Sequence, residues 1–599
     1  MRKAKATDAD LESRMRQGRT SGPMLGRVGA LCVAMAALVP GMLLPGAGGA
    51  QTAADITPET LAPQPPRLAG AVRFTGAPGL ATPEGADRLS VSIRSVTVEG
   101  GLPDLAPAEE ALTAQLTDGP VRVSDIFAAA RRLEAAYARA GYVLARVVLP
   151  PQELRDGGSL RLTVVDGFIE AVETDRVPDP VRARVDAVTA PLEDRRGLRL
   201  SQIERSLLLA GDTFGLALES ALARGEAPGA TRLVLGGEFR PVTGFVGLDT
   251  GYGRDLGHYI LDTGLEVNSL LGLGETIYFR FGGNLSSRGA AEGLFSSTPR
   301  VRTLAAGTVV PLGTQGLTLN AEIADSRTTP RTDGLPTTSQ FSRGSLRLAY
   351  PVLRSRALTL VARGSLDATT DRSTAILADG SRPRLSRDRM RVLRLGGDLL
   401  RVPEAGGFDE LTGVLSLGLD ALGARSGSAE LPLSRDGARP DFTSLSLSGR
   451  SIRPLGDGLV LALSGRAQTA FGRPLVESEQ ISLSGTAGLS GFVPGQVKGD
   501  SGALVRAEMR RPVEMQEPAM PGLVTPYGFV ATGVVWLHQP SAVERGRERA
   551  SSFGLGVELL PSFEERFTQA SIRVEAARGL RHGGGDNDNR VSLVGSLRF

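Results

Sequence analysis

Residues 133–172 read LEAAYARAGYVLARVVLPPQELRDGGSLRLTVVDGFIEAV, and the periodicity changes within them. Up to Gly141 the apolar side chains keep helical spacing. Ile126, Ala130, Leu133 and Tyr137 share one face behind a capping Ser124, and Gly141 ends the helix. Beyond it, VLARVVLP (143–150) and SLRLTVVDGFIEAV (159–172) read as strands joined by a turn at Asp156-Gly157-Gly158. With a strand over 91–98, this makes a β-α-α-β-β unit over 89–167. The order then repeats over 168–240, with helices predicted at 181–189 and 201–209 and strands at 216–224 and 230–239. The middle of the chain is therefore two related α+β domains in tandem.

Toward the N-terminus, 51–88 holds six prolines and little periodicity and reads as a flexible linker. Before it, Arg14, Arg16, Arg19 and Arg27 precede a mainly apolar run over 28–44. Gly48-Gly49-Ala50 then supplies a small-residue cleavage site, so 1–50 reads as an export signal cut after Ala50. The run is short for a membrane span and is broken by Pro40 and Pro45. Residues 1–50 carry seven Lys/Arg and three Asp/Glu, so the formal charge of +3 becomes about −1 for the rest, which argues against nucleic acid as a partner. Cys32 is the single cysteine and Lys498 the only lysine beyond residue 50. The three histidines have no metal-type spacing, and neither a P-loop nor a G-x-S-x-G motif occurs. No catalytic, cofactor or metal residues are predicted. Residues 583–589, GGGDNDN, read as a hairpin loop rather than a calcium site.

Toward the C-terminus, 241–599 divides into sixteen segments of β character. Leu358, Leu360, Ala362 and Leu366 alternate with Thr359, Arg363, Ser365 and Asp367; Val505, Ala507 and Met509 alternate with Arg506, Glu508 and Arg510. A soluble sheet would alternate in the same way. The connections discriminate: those after odd-numbered segments are mostly long and those after even-numbered ones mostly short. An even strand number, long loops on one side and a charged inner row form the pattern of an outer-membrane barrel. Val591, Leu593, Gly595, Leu597 and Phe599 share a face, and the terminal Phe599 reads as a barrel-assembly signal.

Residues 133–172 resemble the first POTRA domain of two-partner secretion transporters, the haemolysin secretion/activation family. The matching positions are Gly141-Tyr142, Leu149-Pro150, Gln152, Gly158 and Gly167. Residues 475–511, LVESEQISLSGTAGLSGFVPGQVKGDSGALVRAEMRR, resemble the family segment in which a Glu-Gln pair, a Val-Arg-Gly-Phe/Tyr tetrapeptide, Gly-Asp-x-Gly and a basic strand follow in order. Glu479-Gln480, Gly491-Phe492, Gly499-Asp500 and Gly502 match. This is the loop after the eleventh segment, the sixth on the long-loop side, which the resemblance implies is folded back into the lumen.

One departure stands out. The tetrapeptide is Leu489-Ser490-Gly491-Phe492, with serine where the family has arginine. In the family that arginine pairs with an aspartate on the inner wall of the thirteenth strand. Here that strand reads Pro526-Tyr527-Gly528-Phe529-Val530-Ala531-Thr532-Gly533, with Ala531 at the aspartate position. Both partners are missing together, which leaves no unpaired charge. On the sequence, restoring either partner alone (Ser490→Arg or Ala531→Asp) is expected to harm and restoring both to recover. A neighbouring pair such as Arg473 with Asp500 is an alternative anchor.

The resemblance implies a membrane β-barrel of 16 antiparallel strands preceded by two periplasmic α+β POTRA domains, in the bacterial outer membrane. It implies no cofactor. Its implied partners are a cognate secreted exoprotein with an N-terminal secretion domain, the outer-membrane bilayer and the barrel-assembly machinery. The rival readings are a barrel-assembly or insertase factor of the same superfamily, usually with three or more POTRA units, and a diffusion porin, which has no reason to carry POTRA units.

Overall fold

The computed structural model describes residues 51–64, 82–257, 259–284, 293–332, 334–516, 521–542, 544–584 and 587–599. The export signal predicted over 1–50 and residues 65–81 of the predicted linker lie outside the described residues.

The first α+β unit contains β1 (Ser90–Glu99), α1 (Ala106–Thr117), β2 (Pro120–Arg122), α2 (Val123–Arg139), β3 (Arg146–Val148) and β4 (Gly158–Val165). Its sheet runs β2-β1-β4-β3, with β1 and β4 parallel. The helical stripe read from sequence is the core face. Ile126, Leu133 and Tyr137 of α2 are buried against Val147, Leu160 and Leu162, each buried side chain contributing about 1.5–3 kcal/mol. Gly141 follows α2 with φ +97°, where a Cβ would be strained. The second unit contains β5 (Phe168–Arg176), α3 (Asp179–Thr189), α4 (Leu200–Gly211), β6 (Leu216–Arg224) and β7 (Ala230–Phe239). Its sheet runs β5-β7-β6 over its own core of Ile169, Val185, Ile203, Leu233 and Leu235. One edge, β6, pairs only with β7 among the described residues. The unit meets the barrel through polar contacts and a small apolar one: Arg354 Nε donates to Asp212 at 3.1 Å, Ser269 Oγ donates to the Pro180 carbonyl at 2.9 Å, Arg566 pairs with Glu219, and Phe214 is buried against Tyr278 and Val309.

The rest is a closed antiparallel barrel. Its strands begin with β8 (Val242–Asp249), β9 (Ile260–Asn268), β10 (Thr276–Gly283), β11 (Val301–Leu312), β12 (Leu317–Thr328) and β13 (Thr337–Arg354). They continue with β14 (Leu358–Ala375), β15 (Arg384–Arg401), β16 (Phe408–Gly418), β17 (Thr443–Gly456) and β18 (Leu459–Thr469). After a lumenal hairpin, β19 (Ile481–Ser482) with β20 (Lys498–Gly499), come β21 (Ser501–Arg510), β22 (Val513–Met515), β23 (Gly522–Trp536), β24 (Arg547–Pro561), β25 (Gln569–His582) and β26 (Asp588–Arg598). Both β21 and β22 pair with β23. They are one strand interrupted where Pro512 cannot donate to the ladder, so the barrel has the sixteen strands expected. β26 closes on β8 through five paired residues, against eight between β8 and β9. Phe599 extends the closure by exchanging two backbone hydrogen bonds with Gly244.

Inward side chains are charged and paired across strands: Arg280 with Glu266 at 2.8 Å, Arg343 with Glu322 at 2.9 Å, and Arg394 with Asp367 at 2.9 Å. Outward side chains such as Leu346, Leu366, Leu395 and Leu447 are exposed and apolar, as a bilayer requires. The first residues of the predicted flexible linker differ from expectation, since residues 51–64 lie inside the barrel. The Ala53 N–H donates to Ser339 Oγ at 3.1 Å, the Leu61 N–H donates to Glu322 Oε2 at 2.9 Å, and the Leu61 carbonyl accepts from Arg280 Nε at 3.0 Å. The segment is a non-helical string of turns. The barrel wall satisfies backbone groups that a helix would have satisfied internally.

Candidate functional site: the filled lumen

The connection between β18 and β21 folds inward, and Asp500 is its hub. Its carboxylate is fully buried and accepts both oxygens' share from Arg435 Nη1 at 2.9 Å each. It also accepts the backbone N–H groups of Leu475 at 3.0 Å and His538 at 2.7 Å, and Gln480 Nε2 at 2.9 Å. A carboxylate with this many donors is compensated despite burial. The partner proposed from spacing, Arg473, instead faces Asp441 at 3.7 Å. Glu479, beside Gln480, takes Arg394 at 2.8 and 3.0 Å.

At the tip, Leu489 and Phe492 are fully buried in an apolar cluster with Leu483, Val497, Leu504, Ala531 and Val535. Gly491 lies so close to the backbone of Gly579 on β25 that any Cβ would collide, and its N–H donates to Ser552 Oγ at 2.9 Å. Ser490 accepts from Arg506 Nη1 at 3.1 Å. Arg506 projects inward from β21 and is 2 % exposed. It also donates to the Gly488 carbonyl at 3.1 Å, pairs with Glu575 at 2.6 Å and Glu508 at 2.8 Å, and stacks 3.7 Å over the Phe529 ring. The β21–β23 register sets Ala531 directly opposite Arg506. Positions 490 and 531 therefore converge on one guanidinium, and it comes from the wall rather than the loop.

Of the other motif positions, Tyr527 and Gly533 line the same pocket: Tyr527 donates to Glu575 at 2.7 Å and accepts from Arg573 at 2.7 Å, and Gly533 lies under Leu483. Pro526 does not belong to the inner wall as expected, since period two sets it on the exposed face; its carbonyl accepts the Arg511 N–H at 3.0 Å. Gly499 closes the β19–β20 hairpin against the Trp536 backbone. Lys498 ties the two lumenal segments together, 3.1 Å from Glu477 of the loop and 3.6 Å from Asp55 of the N-terminal segment. Sequence reasoning missed Arg435, Arg506, Glu575 and the 51–64 segment. The alternation of Arg506 with Val505 and Ala507 marked an inward arginine, but its partners depend on register.

The POTRA positions fix their domain's shape. Tyr142 packs edge-on against Tyr137 with centroids 6.2 Å apart and donates to Asp104 at 2.8 Å. Gln152 exchanges two bonds with the backbone of Arg161 at 2.7 and 2.8 Å, next to Pro150. Leu149 packs against the first core, Gly158 opens β4, and Gly167 sits where a Cβ would strike the Leu144 carbonyl.

The sequence profile of the haemolysin secretion/activation protein family, ShlB/FhaC/HecB, matches residues 234–559, more than half of the chain. The chain belongs to this family. The profile of the ShlB-type POTRA domain matches residues 91–167. Among relatives of the family, the outer membrane transporter CdiB of Escherichia coli is 24% identical over 477 residues, 78% of this chain and 76% of that protein. The solved structure of CdiB from Escherichia coli superposes with a TM-score of 0.65 at 22% identity, covering 88% of this chain and 94% of that one. CdiB from Acinetobacter baumannii gives 0.56 at 15%, covering 88% and 95%. As a member of the haemolysin secretion/activation family, this protein is an outer-membrane transporter that works through POTRA domains and a barrel, with the POTRA domains in the periplasm.

Proposed function

We propose that this protein captures one large exoprotein in the periplasm through its POTRA domains and passes it, unfolded, through the barrel to the cell surface. The observation that carries this reading is how the lumen is filled. Both occupants are chain segments rather than wall strands: residues 51–64 are held to the wall by hydrogen bonds, and the 470–500 loop by ion pairs to the wall and to the 419–442 loop and by the apolar cluster at its tip. The hydrogen bonds of 51–64 exchange for water or for another polar chain at little net cost. An extended substrate in that lumen keeps its backbone hydrogen-bonded, which the bilayer would not allow. The free edge of β6 at the periplasmic mouth supports capture by strand addition, because main-chain bonds there make little demand on sequence. No nucleotide motif occurs in the chain, so folding of the exoprotein outside supplies the drive.

The test is deletion of residues 90–166, a unit with its own core. The barrel is expected to insert normally while the exoprotein accumulates in the periplasm. Normal secretion by the truncated protein would overturn the reading. The neighbouring reading frame is expected to encode a large, repeat-rich secreted protein.

A further inference from the structure

The outward face of the barrel changes character abruptly along β15. From the periplasmic end its outward row reads Leu399, Gly397, Leu395 and Leu393, then Arg391, Arg389 and Arg387. The intervening Asp388, Met390 and Val392 are buried on the inner side. On β14 the outward Leu360, Ala362, Leu366 and Ala368 give way in the same direction to Thr370 and Arg372. The register places Arg372 directly opposite Arg387, with Arg389 and Arg391 on the next two rungs of that face. The 419–442 loop adds Arg425, whose side chain donates to the Arg387 carbonyl at 2.6 Å and whose backbone N–H donates to the Arg389 carbonyl at 2.9 Å.

Like charges directly opposite one another on a sheet are destabilising, and the barrel shows how it handles them elsewhere. On the same outward face Arg302 and Arg327 are also cross-strand partners, but Asp325 sits 3.8 and 3.4 Å from them. At Arg372 and Arg387 no such carboxylate is present among the described residues. The charged side chains set around Arg387 are Arg372 across the ladder, Arg389 on the next rung and Arg425 on its carbonyl, all cations. The Nε–H groups of Arg387 and Arg389 are shielded from solvent and have no hydrogen-bond acceptor, and the same holds for those of Arg302 and Arg327, so the missing carboxylate is what separates the two pairs. The cluster begins where the leucine rows end, at the depth of the outer-leaflet headgroups.

We propose that Arg372, Arg387 and Arg389, flanked by Arg391 and Arg425 whose guanidinium groups are held on backbone carbonyls, form a docking site for the phosphate groups of the outer-leaflet glycolipid, the bisphosphorylated diglucosamine of lipopolysaccharide. Guanidinium forks match phosphate bidentately, and an anion in this position does for Arg372 and Arg387 what Asp325 does for Arg302 and Arg327. The lipid becomes part of the barrel's charge balance.

The test uses the full chain in detergent, with bisphosphorylated lipid A added in mixed micelles. Binding and the unfolding midpoint are read together, and dephosphorylated lipid A, phosphatidylglycerol and inorganic phosphate serve as the other probes. Bisphosphorylated lipid A is expected to bind and to raise the midpoint, and the other probes to do so far less. The triple variant Arg372→Gln/Arg387→Gln/Arg389→Gln is expected to lose on the order of a hundredfold in binding, at about fivefold per guanidinium near a charged surface. Arg372→Gln alone is expected to raise the midpoint in lipid-free detergent and to abolish part of the gain from the lipid, a change of sign that a purely structural role would not give. Lysine at the same three positions retains binding, which guards against misfolding of the glutamine variant; Arg302→Gln/Arg327→Gln leaves it unchanged. Equal binding by wild type and a folded triple glutamine variant overturns the proposal. So does an equal response to dephosphorylated lipid or to inorganic phosphate, or an equal loss in the Arg302/Arg327 variant.

Discussion

Arg506 reaches from the barrel wall to the loop position at which the family resemblance implies an arginine. Its guanidinium spans Ser490, Glu575 and Glu508 while covering Phe529. Removing it leaves Glu575 with Arg573 at 2.9 Å and Tyr527 at 2.7 Å, so Arg506→Gln is expected to destabilise the folded barrel by less than the about 3–5 kcal/mol of a buried charge left unpaired. Glu575→Gln in the same chain should recover part of that loss. Ser490→Arg would press a second guanidinium against the first, whereas the exchange Ser490→Arg/Arg506→Ser moves the charge from wall to loop. We expect the exchange to outperform the sum of its single changes, with a coupling of ~0.5–3 kcal/mol, read as a double-mutant cycle on urea unfolding of the barrel; strict additivity would separate the two positions. Ala531→Asp meets Arg506 directly across the ladder, so it does not lack a partner, contrary to the expectation from sequence. Positions 490 and 531 could be singled out in the sequence because each sits in an ordered motif. The substitute was not, because cross-strand neighbours are set by register, which alternation leaves open by two residues at a time.

Among the elements, the strands were the most legible and the N-terminal segment the least. A barrel strand declares itself by period two, and the reading placed all sixteen. Residues 51–64 have no period because their partners are scattered along the wall, at Glu322, Ser326, Ser339 and Arg347. No local pattern encodes such a path, and its prolines mimic a linker. Deleting 51–64 is expected to raise the ion conductance of the barrel in planar bilayers, and Lys498→Met to do so partially by releasing Asp55 and Glu477. Unchanged conductance in both would mean that the segment does not obstruct the lumen. The Asp500 hub shows a similar limit. Gly499-Asp500 was visible in the sequence, but Arg435 lies 65 residues away in another loop and spacing pointed to Arg473.

Across the whole molecule, the two α+β units and the barrel have their own cores, joined by polar contacts and by two apolar ones, Leu144 of the first unit in the core of the second and Phe214 of the second against Tyr278 and Val309 of the barrel. The protein is expected to fractionate with the outer membrane and to run faster on gels before boiling than after it, because the closed hydrogen-bonded wall resists detergent until heated. Recovery as a detergent-free soluble protein would contradict this. The composition carries one more consequence. Beyond residue 50 the chain has a single ε-amine, on Lys498, and its side chain is only 23% exposed, wedged between the two segments that fill the lumen. On the proposed function, an amine-directed acylating probe added to intact cells has one side-chain target in residues 51–599, shut in at rest and expected to be uncovered as cargo displaces its neighbours. Lys498 would then serve as a built-in chemical reporter of traffic, with no engineered label needed to read it.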